Sequence, residues 1–130
     1  MSKERELQKI ETKLNELFPN GHTDFIKMGL AEMQLYSDKN HDYALGGDPL
    51  GNFKRVSAIL TVWGYDIPPA LVALIYALKQ QDAYMWMLSQ GYDGEVEGID
   101  ARLGDDHVYK KLARILYKEE VELERSCIYE

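Results

Sequence analysis

The sequence predicts an all-α protein: one domain over residues 1–130, a single-domain bundle of about five helices. Three observations predict it. Apolar residues recur with a period near 3.6, and few stretches alternate with period two. Glycine and proline punctuate those periodic stretches at intervals of helix length. And 130 residues are the size of one ordinary domain with one core.

The first helix is expected from about Ser2 to Leu17, with Leu7, Ile10, Leu14 and Leu17 on one stripe, and FPNGHT ends it. Thr23 is the expected N-cap of a second helix carrying Ile26, Leu30 and Met33, which runs out near Asp38. The segment KNHDYALGGDPLGN, residues 39–52, then reads as a connection. Asp48-Pro49 opens the third helix, a capping carboxylate followed by a residue whose fixed φ and missing N–H suit the first helical position. This helix carries Phe53, Val56, Leu60 and Trp63 and stops at Gly64. Pro68-Pro69 starts the fourth, apolar on nearly every side through Leu78 and therefore the expected central helix, ending near Gln90 with Gly91 beyond it. After GYDGEVEGIDARLG, Asp105 or Asp106 is the expected cap of a fifth helix striped by Val108, Leu112, Ile115 and Leu116.

Composition excludes several classes of function. The longest apolar run, Ala70 to Leu78, ends at Lys79, short of the roughly 18 residues of a membrane span. The start, MSKERELQKIETKL, carries charge where a secretory signal needs an apolar stretch, so a soluble, cytoplasmic protein is expected. A single cysteine, Cys127, leaves no internal disulfide and no zinc-ligand spacing. The formal charge is −7: residues 1–81 hold 10 acidic and 9 basic groups, and residues 82–130 hold 12 and 6. No basic stripe is present, so direct binding of duplex nucleic acid is not expected. An acidic surface suits a metal-bridged nucleotide, a basic protein partner, or solubility alone.

Several polar residues interrupt apolar stripes and therefore need partners. Lys79 and Asp82, three apart on the fourth helix, form either a structural ion pair or a place where lysine meets phosphate and aspartate meets metal. Asp105 either caps the fifth helix or, pointing inward, joins Asp82 or Asp42 in holding Mg²⁺, a hard ion satisfied by one or two carboxylates plus substrate phosphates. Gly46 and Gly47 precede a helix start whose free N–H groups receive anions, with Asn52 and Arg55 as added donors, although Asp48 opposes an anion there. His41-Asp42 matches the dipeptide of HD-type phosphohydrolases, but the expected connection between helices is not the helical setting those enzymes use. Asp93, Glu95, Glu97 and Gly98 imitate the start of a calcium loop, yet Gly104 stands where its last glutamate belongs, so a solvated acidic loop is expected. The run KEEVELE spaces its carboxylates like the metal ligands of MazG-like pyrophosphohydrolases without their paired motifs, and an exposed terminal helix explains it more simply.

Together, KNHDY, GDPLGNFKR, an apolar helix ending in lysine, and LGDDHVY resemble small helical phage and prophage proteins. These include the nucleotide-modification-associated group, with its K-N-x-D-Y-G, K-x-x-R and D-x-x-x-Y motifs, and a neighbouring family with Y-G-D-P-x-x-N-F-x-R-I. The resemblance covers roughly Lys39 to Lys118. Lys39, Asp42 and Tyr43 match the first motif, with Ala44 in place of its glycine. Asp48, Pro49, Asn52, Phe53 and Arg55 match the Y-G-D-P segment; Lys79 matches the lysine of K-x-x-R, with Asp82 where arginine is usual; Asp105 and Tyr109 match the last. The resemblance implies a protein of the host-cell cytoplasm acting on or near the nucleotide pool.

The expected function is metal-dependent nucleotide binding, with nucleoside-triphosphate pyrophosphohydrolysis or an accessory role in nucleotide modification as its outlet. Lys39 and Asp42 are the candidate catalytic residues. Lys79, Arg55, Asn52, Tyr43 and Tyr109 are candidates for nucleotide and phosphate, and Asp42, Asp82 and Asp105 for Mg²⁺. The alternative is a non-enzymatic acidic phage protein that captures a basic host or defence protein through carboxylates such as Glu95, Glu97 and Glu120. A homo-oligomer is a further expectation, because small helical bundles complete their cores with a second chain and the first and fifth helices are amphipathic.

Overall fold

The structure, a computed structural model, describes residues 2–129, with side chains as far as Cys127. Among the described residues there are five α-helices and no strand: α1 (Lys3–Leu17), α2 (Thr23–Ala44), α3 (Gly51–Val62), α4 (Pro69–Ser89) and α5 (Ile99–Tyr129). None of these helices is long and apolar enough to cross a membrane. The chain divides between Asp42 and Tyr43 into two compact units.

The first unit holds α1 and nearly all of α2. Ser2 caps α1, its Oγ accepting from the Arg5 N–H at 3.3 Å. His22 caps α2 in place of the expected Thr23: its Nδ1 accepts from the Asp24 N–H at 3.1 Å, and its carbonyl accepts from the Phe25 N–H. The helix also runs six residues past its expected end at Asp38, because nothing between Asp38 and Ala44 breaks it. It ends where Leu45 and Gly46 turn left-handed, at φ 47° and 80°. Lys39, His41, Asp42 and Tyr43 are thus helical and not part of a connection. Neither α1 nor α2 has a buried residue among the described ones.

In the second unit α4 packs antiparallel on α5, and α3 packs on α4. α3 starts at Gly51, with Leu50 as its N-cap, two residues after the expected Asp48-Pro49 start; Asp48 instead closes the turn before it, its Oδ1 accepting from the Leu50 N–H at 2.9 Å and its Oδ2 meeting Lys54 Nζ at 2.6 Å. Lys54 also reaches Glu119 of α5 at 3.3 Å. The Ser57 hydroxyl donates to the Ile67 carbonyl at 2.6 Å, fixing the turn that leads to Pro69. Small residues, Ala70, Ala73 and Ala77, are buried on α4 beside Val72 and allow the other helices close approach. Phe53, Leu112 and Leu116 fill the remainder of this core.

The fifth helix begins at Ile99, six residues before the expected Asp105. Its cap is Asp93, whose Oδ1 accepts from the Ile99 N–H at 2.8 Å. A Cβ on Gly98 would come within 2.8 Å of that oxygen, so glycine keeps the cap in place. Asp93 is therefore engaged and not a free ligand of a solvated loop, and Gly104 lies within the helix. The C-terminal carboxylates are not all exposed either. Glu120 is half-buried, and its Oε1 accepts from the Ala70 N–H at 2.9 Å, capping the start of α4 from 50 residues away.

Candidate functional site

Once α5 starts at Ile99, Arg102, Asp105, Asp106 and Tyr109 fall three and four apart, on the face turned toward α4. Tyr109 meets Tyr76 of α4 edge-on, with ring centroids 5.6 Å apart and planes at 82°. Phe53 of α3 closes the group at 5.6 Å from Tyr76 and 6.3 Å from Tyr109. One aromatic ring from each of three helices thus makes a rigid tier, and tilted or edge-on pairs of this kind add about 0.5–1.5 kcal/mol each beyond burial.

The polar edge of this tier is acidic. Burial first, then the charge of Asp105, then Tyr43, Tyr76 and Glu97, push the Tyr109 hydroxyl above its ordinary value. It therefore stays protonated at neutral pH and is a hydrogen-bond donor beside two carboxylates. Tyr43, the last of the KNHDY segment, and Asp105 and Tyr109, the ends of DDHVY, share one neighbourhood although 62 to 66 positions separate them.

The cation here is Arg102, which sequence reading left in a loop. Its side chain is 21% exposed; Nη1 donates to Gln80 Oε1 at 3.1 Å and Nη2 lies 3.9 Å from Glu97 Oε2. Its Nε is buried with no hydrogen-bond partner among the described residues. Held by Gln80 and Glu97, the guanidinium is a fixed positive charge on this face of α5. Beside it stands Asp106, 5% exposed. Its Oδ2 accepts from the Tyr84 hydroxyl at 2.8 Å and from Lys110 Nζ at 3.1 Å. Lys110 Nζ is also 3.1 Å from Oδ1, but that buried oxygen receives no well-aligned hydrogen bond.

The other expected residues are placed differently. Lys79 and Asp82 are exposed on α4; Asp82 lies on the side away from Gln80 and Tyr84, and Lys79 stands on the flank one turn from Tyr76. Arg55 is exposed on α3, and its guanidinium folds over Gly51, where an added Cβ would lie 2.9 Å from Nη1. Asn52, one residue from Phe53, is half-buried. Lys39 and Asp42 stand one turn apart near the end of α2. The Asp42 carboxylate is 84% exposed and 3.4 Å from His41 Nδ1, so the HD pair is helical after all.

Among the described residues no three His, Cys, Asp or Glu side chains come together at metal-holding range. Asp105 and Glu97 are the two carboxylates whose charge acts on Tyr109. The chain matches no protein-family model, no curated protein and no solved structure.

Proposed function

We propose that the protein binds a nucleotide together with a divalent cation at the edge of the Phe53, Tyr76 and Tyr109 tier. The observation that carries this reading is the packing of Phe53, Tyr76 and Tyr109 from three helices, with Tyr43 and Asp105 acting on the Tyr109 hydroxyl and Arg102 held on Gln80, one turn along α4 from Tyr76. Tyrosine faces accept a nucleobase by stacking, and a protonated Tyr109 hydroxyl offers a directional donor. Arg102 neutralises phosphate charge. Asp105 and Glu97 would hold Mg²⁺, which bridges an acidic neighbourhood to an anionic ligand that it would otherwise repel. Pyrophosphohydrolysis is the reaction that such an arrangement supports, since phosphoryl chemistry depends chiefly on positioning and on neutralising charge.

The test is a product assay on the purified protein with each common ribo- and deoxyribonucleotide in Mg²⁺ and in Mn²⁺, resolved by anion exchange. Release of monophosphate and pyrophosphate, lost in Asp105→Asn and in Arg102→Gln but retained in Asp82→Asn, is the expected outcome. Unchanged nucleotides throughout would remove the catalytic part of the reading. Salt-sensitive capture of a basic protein, lost on neutralising Glu95 and Glu97, would favour the acidic binding protein instead.

A further inference from the structure

Two groups of different kind hold Arg102. Gln80 of α4 is neutral, and its Oε1 accepts from Nη1 at 3.1 Å, within hydrogen-bond range. Glu97 approaches the other end of the guanidinium: its Oε2 lies 3.9 Å from Nη2, too far for a hydrogen bond and at the outer limit of an ion pair. Burial separates the two partners as well. Gln80 is half-buried on a helix, whereas the Glu97 side chain is 39% exposed, just before α5 begins. With Nε buried, Arg102 offers a ligand its Nη ends, and Glu97 approaches one of them.

The backbone beneath Glu97 is fixed. An added Cβ on Gly94 would collide with the Glu97 carbonyl, and Asp93 caps the Ile99 N–H at 2.8 Å just beyond it. Turning the Glu97 carboxylate away from Arg102 therefore takes side-chain rotation alone, with the loop still closed. An exposed ion pair of this kind is worth only about 0.2–1 kcal/mol. Phosphate oxygens on a guanidinium make charge-assisted hydrogen bonds of about 2.7–2.9 Å, roughly twice as strong as neutral ones, so a phosphate group outcompetes so loose a carboxylate.

We propose that Glu97 is an internal counter-ion of Arg102, displaced by the phosphate of the ligand while Gln80 keeps the guanidinium in place. This role rests on the nucleotide reading of the site and adds a control to it. In the free protein the carboxylate competes with passing anions for Arg102. Once phosphate has taken its place, Glu97 is free to join Asp105 in holding the divalent cation. Phosphate releases a carboxylate to the cation, and the cation keeps that carboxylate off Arg102, so each favours the binding of the other.

The test compares the wild type, Glu97→Gln and Arg102→Gln by NMR titration, first with inorganic pyrophosphate in the absence of divalent cations, then with each common nucleoside triphosphate in Mg²⁺. Without the cation, Glu97→Gln should bind pyrophosphate about two- to fivefold more tightly than the wild type, the range set by losing one exposed ion pair, and Arg102→Gln should bind it least. With Mg²⁺ the order should reverse, Glu97→Gln holding the triphosphate more weakly than the wild type. A glutamate with a merely structural role would move both affinities in the same direction. Circular dichroism should show the same helical content in all three proteins, because the Glu97 side chain is partly exposed and caps no helix. Pyrophosphate binding that is indifferent to Glu97→Gln, or absent from all three proteins, would overturn the counter-ion role even if nucleotides bind. An unreversed order for a bound triphosphate would overturn the release of Glu97 to the cation. Tighter pyrophosphate binding by Glu97→Gln with no triphosphate bound in Mg²⁺ would uphold the counter-ion and remove the nucleotide reading.

Discussion

The Tyr84 hydroxyl on α4 donates to the Asp106 carboxylate on α5 at 2.8 Å, and that carboxylate is the one buried charged side chain among the described residues. The contact joins the two helices that dominate the second unit, and Lys110 neutralises the charge from one turn away. Removing Asp106 leaves both partners without their acceptor. Asp106→Ala should therefore cost about 2–4 kcal/mol, and Tyr84→Phe, which leaves a charged pair intact, about 1 kcal/mol. Urea unfolding followed by circular dichroism checks both, and equal midpoints for the wild type and Asp106→Ala would contradict the role given to this carboxylate.

The start of α3 gives a dependence on pH. A hydrogen bond from Lys54, then one from the Leu50 N–H, lowers Asp48 below its ordinary value of 3.8. The bond to Asp48 likewise raises Lys54 above 10.5. A lowered carboxylate contributes stability that is fully present above its ordinary value and is lost as pH falls through the folded one. A raised lysine contributes stability that is present below its ordinary value and is lost as pH climbs through the folded one. The pair's contribution should be flat from weakly acidic to weakly basic pH and decline below 3.8 and above 10.5. Comparing thermal midpoints of the wild type and Asp48→Asn should show their difference shrinking at low pH; a constant difference would count against the assignment.

Gly104 offers a stabilising change. It lies inside α5 with ordinary helical backbone, and a Cβ there would meet nothing within 4 Å. Gly104→Ala should raise stability by about 0.5–1 kcal/mol, read from the same urea titration, since alanine is the better helix former at an uncrowded position. A lower midpoint would mean that the α5 backbone departs from a regular helix there.

The helices themselves were legible in the sequence, because Pro69, Gly64 and Gly91 are local signals and the apolar period persists between them. The start of α5 was not, because its cap, Asp93, acts from six residues away and Gly104 looks like a loop residue when read alone. That one displacement hid Arg102 and turned Asp106 from a buried core carboxylate into a supposed cap. Lys79 and Asp82 were read as sharing an apolar face, which is correct, but nothing local shows that this face lies opposite the one packed on α5. Asp105 and Tyr109 were singled out by the stripe of the fifth helix and by motif resemblance, whereas Tyr76, whose ring meets Tyr109, belongs to an apolar run that carries no chemical signal.

The measurement closest to the central claim is isothermal titration of the protein with nucleoside triphosphates, with and without Mg²⁺. The account predicts saturable binding that requires the cation. Asp105→Asn and Arg102→Gln should each weaken it about tenfold or more while the urea midpoint stays within about 1 kcal/mol of wild type, and Asp82→Asn should leave it unchanged. No binding of any nucleotide with Mg²⁺ present, or binding indifferent to Asp105 and Arg102, would contradict it.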